Sequence, residues 1–511
     1  MVNESRVKKT ILNARVSLIS YLLTLILSFF SRKIFLDCLG AEFVGLTGTL
    51  QNLLGFLNLA ELGIGSAIGY VLYKPIYDHD ENKIGEIISV LGYLYRWIGW
   101  IISIGGLILA CFLPMMFPTK DTGFPLSLVF FAYFAFIGSS LIGYFVNYRQ
   151  LLLGADQKNY VIVGYFQAVT IIKTLVQMAL AYYTKNYYLW VAIEFVFGII
   201  YSFILNWRIN QTYPWLRTEI KNGKKLLKEY PLIIKNTKKI FLHKIGIVTQ
   251  WQAMPLLIYA FVSLKMVAYY ENYTLLVSKL IGLLNSVLGS ADAAVGNLIA
   301  EGNKQKIERV LWEMLSMRYW IMSLLIIGLY YLLPPFISLW LGNEYILPNI
   351  ILIFIIANIG IQITQGCLGP FIYGFGLFND VWATLSQAGL FLLLSFILGP
   401  LYGLGGIVLS SVISLFLAFG VWKPYFLYHY GFKESIWGYV KRWITVVLET
   451  GLIVFVIVII EPYLRFWNPY QSYVNLLLYA LIVGISSLII SLIIMLTLNP
   501  YSRVLLKRFK R

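Results

Sequence analysis

Charge is scarce in this chain of 511 residues: only 12% of the residues are Asp, Glu, Lys or Arg, whereas 59% are hydrophobic. The mean hydropathy is accordingly +0.77. So few charged side chains could not cover the surface of a soluble protein of this length, which excludes an ordinary soluble globular fold. A bilayer accepts an apolar exterior if helices satisfy their own backbone hydrogen bonds. The composition therefore predicts an all-α integral membrane protein.

Residues that build metal and redox sites are also few. The three cysteines, Cys38, Cys111 and Cys367, have no close spacing and are interpreted as buried apolar residues. The chain contains no glycine-rich loop that ends in Lys-Ser or Lys-Thr, so no nucleotide site is expected. We therefore expect neither a cofactor nor a metal ion.

Long loops are missing from one side of the predicted membrane topology. A membrane enzyme, such as a polysaccharide polymerase or an acyltransferase, needs catalytic groups gathered at one face, often on a large loop, yet the outer loops have at most about twelve residues. The three histidines are dispersed, which disfavours an acid–base pair. The sequence therefore favours a transporter over an enzyme, which remains the alternative from another class.

Apolar segments long enough to cross a bilayer recur along the whole chain. A crossing needs about twenty predominantly apolar residues. Breaking the chain at Gly, Pro, Asn and charged clusters predicts about 14 transmembrane helices, at 11–31, 43–72, 87–117, 125–147, 159–183, 187–207, 240–262, 266–299, 310–340, 345–367, 381–399, 404–422, 443–461 and 473–497.

The basic residues are distributed unevenly between the two sides of this topology. With the amino terminus assigned to the cytoplasm, 28 of the 40 lysines and arginines fall on the cytoplasmic side and six on the opposite side. Lysine and arginine in short loops remain cytoplasmic, and a miscounted span would destroy the asymmetry. The pattern predicts an even number of spans with both termini in the cytoplasm.

The longest hydrophilic stretch divides the chain nearly in half. Residues 1–207 are predicted to form an N-lobe of six spans, and residues 208–239 a basic cytoplasmic linker that lies on anionic lipid or binds a regulatory partner. Residues 240–425 would form a C-lobe of six spans, and residues 426–511 the last two spans with a basic tail. The two lobes repeat the same order of spans and loops. We therefore expect two parallel six-helix repeats with a transport cleft between them.

Ionisable residues inside the spans are costly and usually face a cavity or a partner. Lys173 and Lys279 lie near the middle of their spans and continue polar helical faces. For the polar faces in general, helix–helix hydrogen bonding is the alternative. Arg15, Arg96 and Lys244 lie closer to the ends and could instead reach headgroups.

These five basic residues are the predicted substrate-binding residues, and two acidic residues are predicted to have other roles. Glu61 precedes Leu62-Gly63-Ile64-Gly65, where glycines permit a helix break, so its carboxylate either forms a salt bridge with a lysine or carries a proton. Asp292 is the second candidate for coupling or a salt bridge.

The excess of cations bears on the class of substrate. The net charge is +17, but the basic residues lie in short loops and spans rather than on a soluble patch, so no nucleic acid partner is expected. A cationic cavity in a low dielectric requires an anionic substrate to balance its charge. A phosphate-containing substrate meets this requirement better than a neutral drug does. A small-molecule exporter, the other transport alternative, would instead favour acidic cavity residues.

The amino-terminal part of the chain resembles the polysaccharide-transporter family, the Wzx-like flippases of lipid-linked oligosaccharides. This family belongs to the MOP superfamily, with the MATE exporters and the lipid II flippases. The resemblance rests on Arg32, on the segments Leu39-Gly40-Ala41-Glu42-Phe43-Val44-Gly45-Leu46, Glu61-Leu62-Gly63-Ile64-Gly65 and Leu72-Tyr73-Lys74-Pro75-Ile76, and on Lys83-Ile84.

The resemblance implies a flippase that moves undecaprenyl-diphosphate-linked repeat units across the bacterial cytoplasmic (inner) membrane by alternating access. The product would serve the synthesis of O-antigen of lipopolysaccharide, capsule or exopolysaccharide. The implied partners are the lipid-linked oligosaccharide, membrane lipid and the polysaccharide polymerase machinery. No substrate-binding residue is carried over from the family.

Overall fold

The computed structural model describes residues 6–119, 123–377 and 379–503, and within these ranges the side chains of 6–11, 14, 239, 242, 243, 247, 286, 287, 289–294 and 297 are left aside. Throughout the described ranges, the regular structure consists of helices. The predicted fold class, an all-α multi-pass membrane protein, is confirmed.

The chain divides into two compact units, and the first ends at Ala268. Within the first unit, α1 packs on α6, α6 on α7, and α7 on α5, while α8 packs on both α2 and α3. Its helices are α1 Arg6–Cys38, α2 Ala41–Leu57, α3 Ile64–Tyr77, α4 Glu81–Met116, α5 Leu126–Phe145, α6 Asn159–Thr184, α7 Tyr187–Thr212 and α8 Pro231–Phe261.

The second unit begins at Tyr269, inside α9 (Leu264–Ala300). Its remaining long helices are α10 Lys304–Trp340, α11 Asn349–Gln365, α12 Val381–Leu415, α13 Ile436–Leu464 and α14 Tyr473–Leu498. Helix α10 is central to this unit, because it packs against α11, α13 and α14. Trp312 of α10 is fully buried there and donates its Nε1–H to the Tyr428 hydroxyl at 3.1 Å.

Every predicted span corresponds to a helix. Ten helices in the described ranges are long and apolar enough to cross a membrane, or 11 with the bent pair α2–α3. The 52-residue segment Val381–Phe432 counts once among these ten but covers two predicted spans, and it breaks at Gly403, whose φ is 56°. Helices α8 and α9 cover the two predicted spans that remain. The structure thus accommodates fourteen spans, as the sequence predicts.

The exterior of these helices is apolar. Phe203, Phe455 and Leu481 have exposed fractions of 79%, 61% and 59%. Exposing so many large apolar side chains to water would cost free energy, whereas lipid tails solvate them well. Cys111 also lies on this exterior, which corrects the expectation that all three cysteines are buried; Cys38 is half-buried and Cys367 is buried.

The basic linker packs on the protein. Its short helix Gly223–Glu229 lies against α4. The backbone N–H of Glu219 donates to Ser89 Oγ at 2.9 Å, and the Tyr230 hydroxyl donates to Glu86 Oε2 at 2.6 Å. The linker and the first turns of α4 therefore form one body within the first unit. The predicted division into lobes of six spans stays a prediction.

Candidate functional site

A break between α2 and α3 shapes the most polar part of the first unit. Helix α2 ends at Leu57, a 3₁₀ turn covers Asn58–Glu61, and α3 starts at Ile64 after a bend of 43°. Gly63 has φ +94°, a conformation that residues with a Cβ rarely adopt. An added Cβ there would lie 2.9 Å from the Thr237 carbonyl oxygen of α8. Both the conformation and the close approach of α8 require glycine.

The carboxylate of Glu61 lies at this break and is held by two phenols. The Tyr95 hydroxyl of α4 donates to its Oε1, and the Tyr144 hydroxyl of α5 donates to its Oε2 at 2.8 Å. Asn58 Oδ1 accepts from Tyr144 and from Ser140 Oγ, at 3.2 and 3.1 Å. We refer to these five residues as the Glu61 cluster. Where side chains are described, no lysine or arginine forms an ion pair with Glu61.

This arrangement holds the Glu61 side chain by hydrogen bonds rather than by an ion pair. Both phenols are neutral donors, so they stabilise the carboxylate without a compensating cation. An ionisable group at a helix break within a predicted span is a candidate functional residue. Both roles predicted for Glu61, a salt bridge with a lysine and proton transport, stay predictions.

Lys173 belongs to a second cluster, between α6 and α7. Its Nζ lies 2.6 Å from Glu194 Oε1, and the side chains of the pair are 18% and 30% exposed. Gln177 Nε2 donates to Glu194 Oε2 at 3.1 Å and to the Trp190 carbonyl oxygen at 2.9 Å. The polar face predicted on this span therefore meets a carboxylate of the next helix. The Glu61 cluster and this cluster have no residue in common.

The other predicted binding residues have varied surroundings. Lys279 is half-buried on α9, whereas Arg15, Arg96 and Lys244 are exposed. Arg96 is followed by Trp97 and Trp100, which are exposed too, so this face of α4 has the composition of a membrane interface. Asp292 lies on α9, and its side chain falls outside the described residues.

The second unit contains a buried polar cluster of its own. Glu449 of α13 is 4% exposed, and its Oε2 accepts from Asn499 Nδ2 at 2.8 Å. Asn499 Nδ2 also donates to Ser316 Oγ of α10, at 3.2 Å. Glu449 Oε1 is buried without a hydrogen-bond partner. These contacts join the last two spans to α10.

The sequence reasoning missed the tyrosines of the Glu61 cluster. Tyr95 and Tyr144 lie 34 and 83 residues from Glu61 along the chain, so helical spacing could not connect them with it. The chain contains 37 tyrosines, and the amino acid type alone therefore distinguishes none of them.

No known protein-family model matches the chain, and no curated protein matches it in sequence. Solved structures do match its fold. The lipid II flippase MurJ in an inward closed conformation is similar with a TM-score of 0.65 at 16% identity, over 95% of this chain and 99% of MurJ. An inward-facing multidrug resistance MATE family transporter of the MOP superfamily is similar with a TM-score of 0.56 at 16% identity, over 79% of this chain and 94% of the transporter. The chain therefore has the fold shared by these transporters.

Proposed function

We propose that this protein is a flippase that moves undecaprenyl-diphosphate-linked oligosaccharide repeat units across the bacterial cytoplasmic membrane. It would work by alternating access, with both termini in the cytoplasm, before polymerisation into O-antigen, capsule or exopolysaccharide. On this proposal the protein is a transporter and not an enzyme, and it delivers its cargo to the polymerase machinery.

The observation that carries the proposal is the likeness of fold to a lipid II flippase over nearly the whole of both chains. Lipid II, as named for that protein, is a lipid-linked substrate. The net charge of +17 and the lysines within spans favour an anionic cargo here as well. The local resemblance to polysaccharide transporters narrows the cargo from lipid-linked molecules in general to oligosaccharide repeat units.

Two clusters supply residues for this function. Glu61, clamped by two phenols at a helix break, is proposed to couple transport to proton movement. Five basic residues are proposed to contact the diphosphate or the sugars: Lys173, Lys279, Arg15, Arg96 and Lys244. Since Lys173 is paired with Glu194, an arriving diphosphate would exchange one anionic partner for another.

Deletion of the gene is the primary test. We expect lipid-linked repeat units to accumulate in the cytoplasmic leaflet, because their synthesis continues while their translocation stops. Accumulation in the outer leaflet would instead indicate a defect in polymerisation, and the flippase assignment would then be wrong. The position of the glycans is measured by their accessibility to a membrane-impermeant glycosidase or lectin.

Point variants test the residue roles in the same strain. Glu61→Gln and the double variant Lys173→Ala/Lys279→Ala should abolish polysaccharide export, even when export is expressed per amount of the protein in the membrane. Glu301→Gln is the matched control, since its side chain is 52% exposed and pairs only with Lys306 on the surface. Full export by the Lys173→Ala/Lys279→Ala variant would show that the two lysines do not bind the substrate. The flippase assignment would not be affected.

A MATE-like exporter of small molecules is the second candidate, supported by the fold likeness to such a transporter. The two functions differ in their effects on the cell. An exporter would change resistance to cationic dyes and drugs while leaving polysaccharide synthesis intact. Normal surface polysaccharide together with drug sensitivity in the deletion strain would favour this candidate.

A further inference from the structure

A groove of about 450 Å³ runs between the carboxyl-terminal ends of α5 and α7. Its walls are mainly apolar and include Val146, Ile199 and Phe203, all of which are exposed on the outside of the helices. Trp207 lies towards the ends of the helices, as tryptophan does at membrane interfaces. Such a volume is in the range of ligand pockets.

An arginine, Arg149, lies next to the polar end of the groove and contacts two of its lining residues. Asn206 and Asn210 line this end, and both accept hydrogen bonds from Arg149. The Arg149 NH2 group donates to Asn206 Oδ1 and its NH1 group to Asn210 Oδ1, each at 2.9 Å. A guanidinium has five N–H donors, so these two bonds leave others available for a ligand.

Buried contacts hold the asparagine in this orientation. Asn147 is 5% exposed, and its Oδ1 accepts from Ser202 Oγ at 2.7 Å and from Asn206 Nδ2 at 2.9 Å. Asn206 Nδ2 donates in addition to the Ser202 carbonyl oxygen at 2.9 Å. With its amide nitrogen engaged in this way, Asn206 presents its oxygen to Arg149. The cation is therefore held against the lining residues Asn206 and Asn210 by a preorganised network.

The charge of this end is not balanced within the described part of the protein. Arg149 forms no ion pair with a described carboxylate, and the described residues that line the groove include no acidic side chain. A cation next to an apolar groove is expensive unless an anion accompanies it. Basic pockets between spans on the cytoplasmic side are where anionic lipid headgroups bind, and Arg149 is on the predicted cytoplasmic side.

We propose that this groove binds an anionic glycerophospholipid, with its phosphate on Arg149 and one acyl chain along Val146, Ile199 and Phe203. An acyl chain matches the apolar walls, and the negative charge of the phosphate complements the guanidinium of Arg149. A zwitterionic lipid would bring an ammonium group for which the described lining residues offer no carboxylate. The site is separate from the Glu61 and Lys173 clusters, so the proposal does not depend on the transported substrate.

The test is lipid retention by the full-length protein, purified from nanodiscs that contain equal amounts of phosphatidylglycerol and phosphatidylethanolamine and measured by native mass spectrometry. Arg149→Gln should reduce bound phosphatidylglycerol about tenfold or more, the effect of losing a charge-assisted hydrogen bond. Arg217→Gln is the matched control, because Arg217 is exposed on the same predicted side, whereas the hydrogen bonds to the lining residues Asn206 and Asn210 come from Arg149.

A second pair of variants tests the acyl-chain part and leaves the arginine in place. Ile199→Trp should fill the groove and lower retention, whereas Ile200→Trp adds the same ring at an exposed position outside it. Arg149→Lys keeps the charge without the guanidinium fork and should retain an intermediate amount of lipid. If Arg149→Gln fails to fold, Arg149→Lys tests the role of the arginine in its place.

Three outcomes would overturn the proposal. One is equal retention by Arg149→Gln and the unaltered protein, and another is an equal loss in Arg217→Gln, which would indicate nonspecific charge attraction. The third is preferential displacement of phosphatidylglycerol by equimolar undecaprenyl phosphate, which would assign the groove to the carrier lipid.

Discussion

Two phenols from different helices hold the Glu61 carboxylate, and a hydrogen bond to a charged group contributes about 1.5–3 kcal/mol. Tyr95→Phe and Tyr144→Phe each remove one of these donors and leave a carboxylate oxygen without its partner. We expect each variant to lower the free energy of unfolding by an amount in this range, seen as a lower melting temperature of the purified protein.

Tyr182→Phe provides the comparison for this prediction. Tyr182 is 67% exposed, and its ring contacts only the neighbouring Tyr183 among the contacts found. Loss of its hydroxyl should leave the melting temperature unchanged. If the Tyr95 and Tyr144 variants melt at the same temperature as Tyr182→Phe, the two hydrogen bonds to Glu61 do not stabilise the protein as proposed.

The ion pair of Lys173 and Glu194 allows substrate binding to be separated from structural support. Lys173→Ala alone leaves the partly buried Glu194 carboxylate without its cation and should lower thermal stability. In Lys173→Ala/Glu194→Ala both charges are absent, so stability should recover in large part. If Lys173 contacts the diphosphate, export stays lost in the double variant.

Recovery of both stability and export in this double variant would assign the pair a purely structural role. Thermal unfolding and polysaccharide export, measured on the same variants, distinguish the two outcomes. Sequence reasoning identified Lys173 and its polar face from helical spacing. It did not pair Lys173 with Glu194, because the partner is on another helix and its rotation about that helix depends on packing.

At the scale of elements, the break between α2 and α3 depends on Gly63. Alanine there would meet a positive φ, which costs roughly 1–2 kcal/mol for residues with a Cβ, and would collide with α8. Overpacking adds typically about 1–3 kcal/mol. Gly63→Ala should therefore lower thermal stability and export together.

Gly69 in α3 offers an internal control. An added Cβ at Gly69 meets nothing within 4 Å, and the residue is helical. Gly69→Ala should stabilise the helix by roughly 0.5–1 kcal/mol, since alanine loses less backbone entropy than glycine. A Gly63→Ala variant that is as stable as Gly69→Ala would show that the break does not require glycine.

The helices themselves were largely predictable. Helices α13 and α14 begin and end within several residues of the predicted spans, because long apolar runs leave few alternatives in a bilayer. The break at Gly63 was indicated by the Glu61–Gly65 motif. The sequence did not indicate that the linker packs on α4, because contacts such as that of Glu219 with Ser89 join segments 130 residues apart.

For the whole molecule, the topology yields a prediction about sidedness. In a variant in which Cys38, Cys111 and Cys367 are replaced by serine, single cysteines at Lys185 and Asn468 should react with a membrane-impermeant maleimide in spheroplasts. Cysteines at Lys224 and Glu434 should react only after lysis. All four positions are exposed in the structure, so protein burial does not limit labelling.

The labelling pattern follows from the even number of spans and the cytoplasmic excess of lysine and arginine. Labelling of the Lys224 and Glu434 positions in intact spheroplasts would contradict the orientation. Labelling of Lys185 without Asn468 would contradict the span count in the second half, where Val381–Phe432 has to cross twice.

The sequence by itself determined that this protein is a multi-pass helical membrane protein and where its helices lie. These properties follow from local composition and from the cost of an unsatisfied backbone in lipid. Only the tertiary structure decided the partners: Glu61 with Tyr95 and Tyr144, Lys173 with Glu194, and Arg149 with Asn206. Helical periodicity places side chains on a common face, but which distant helix meets that face depends on packing throughout the unit.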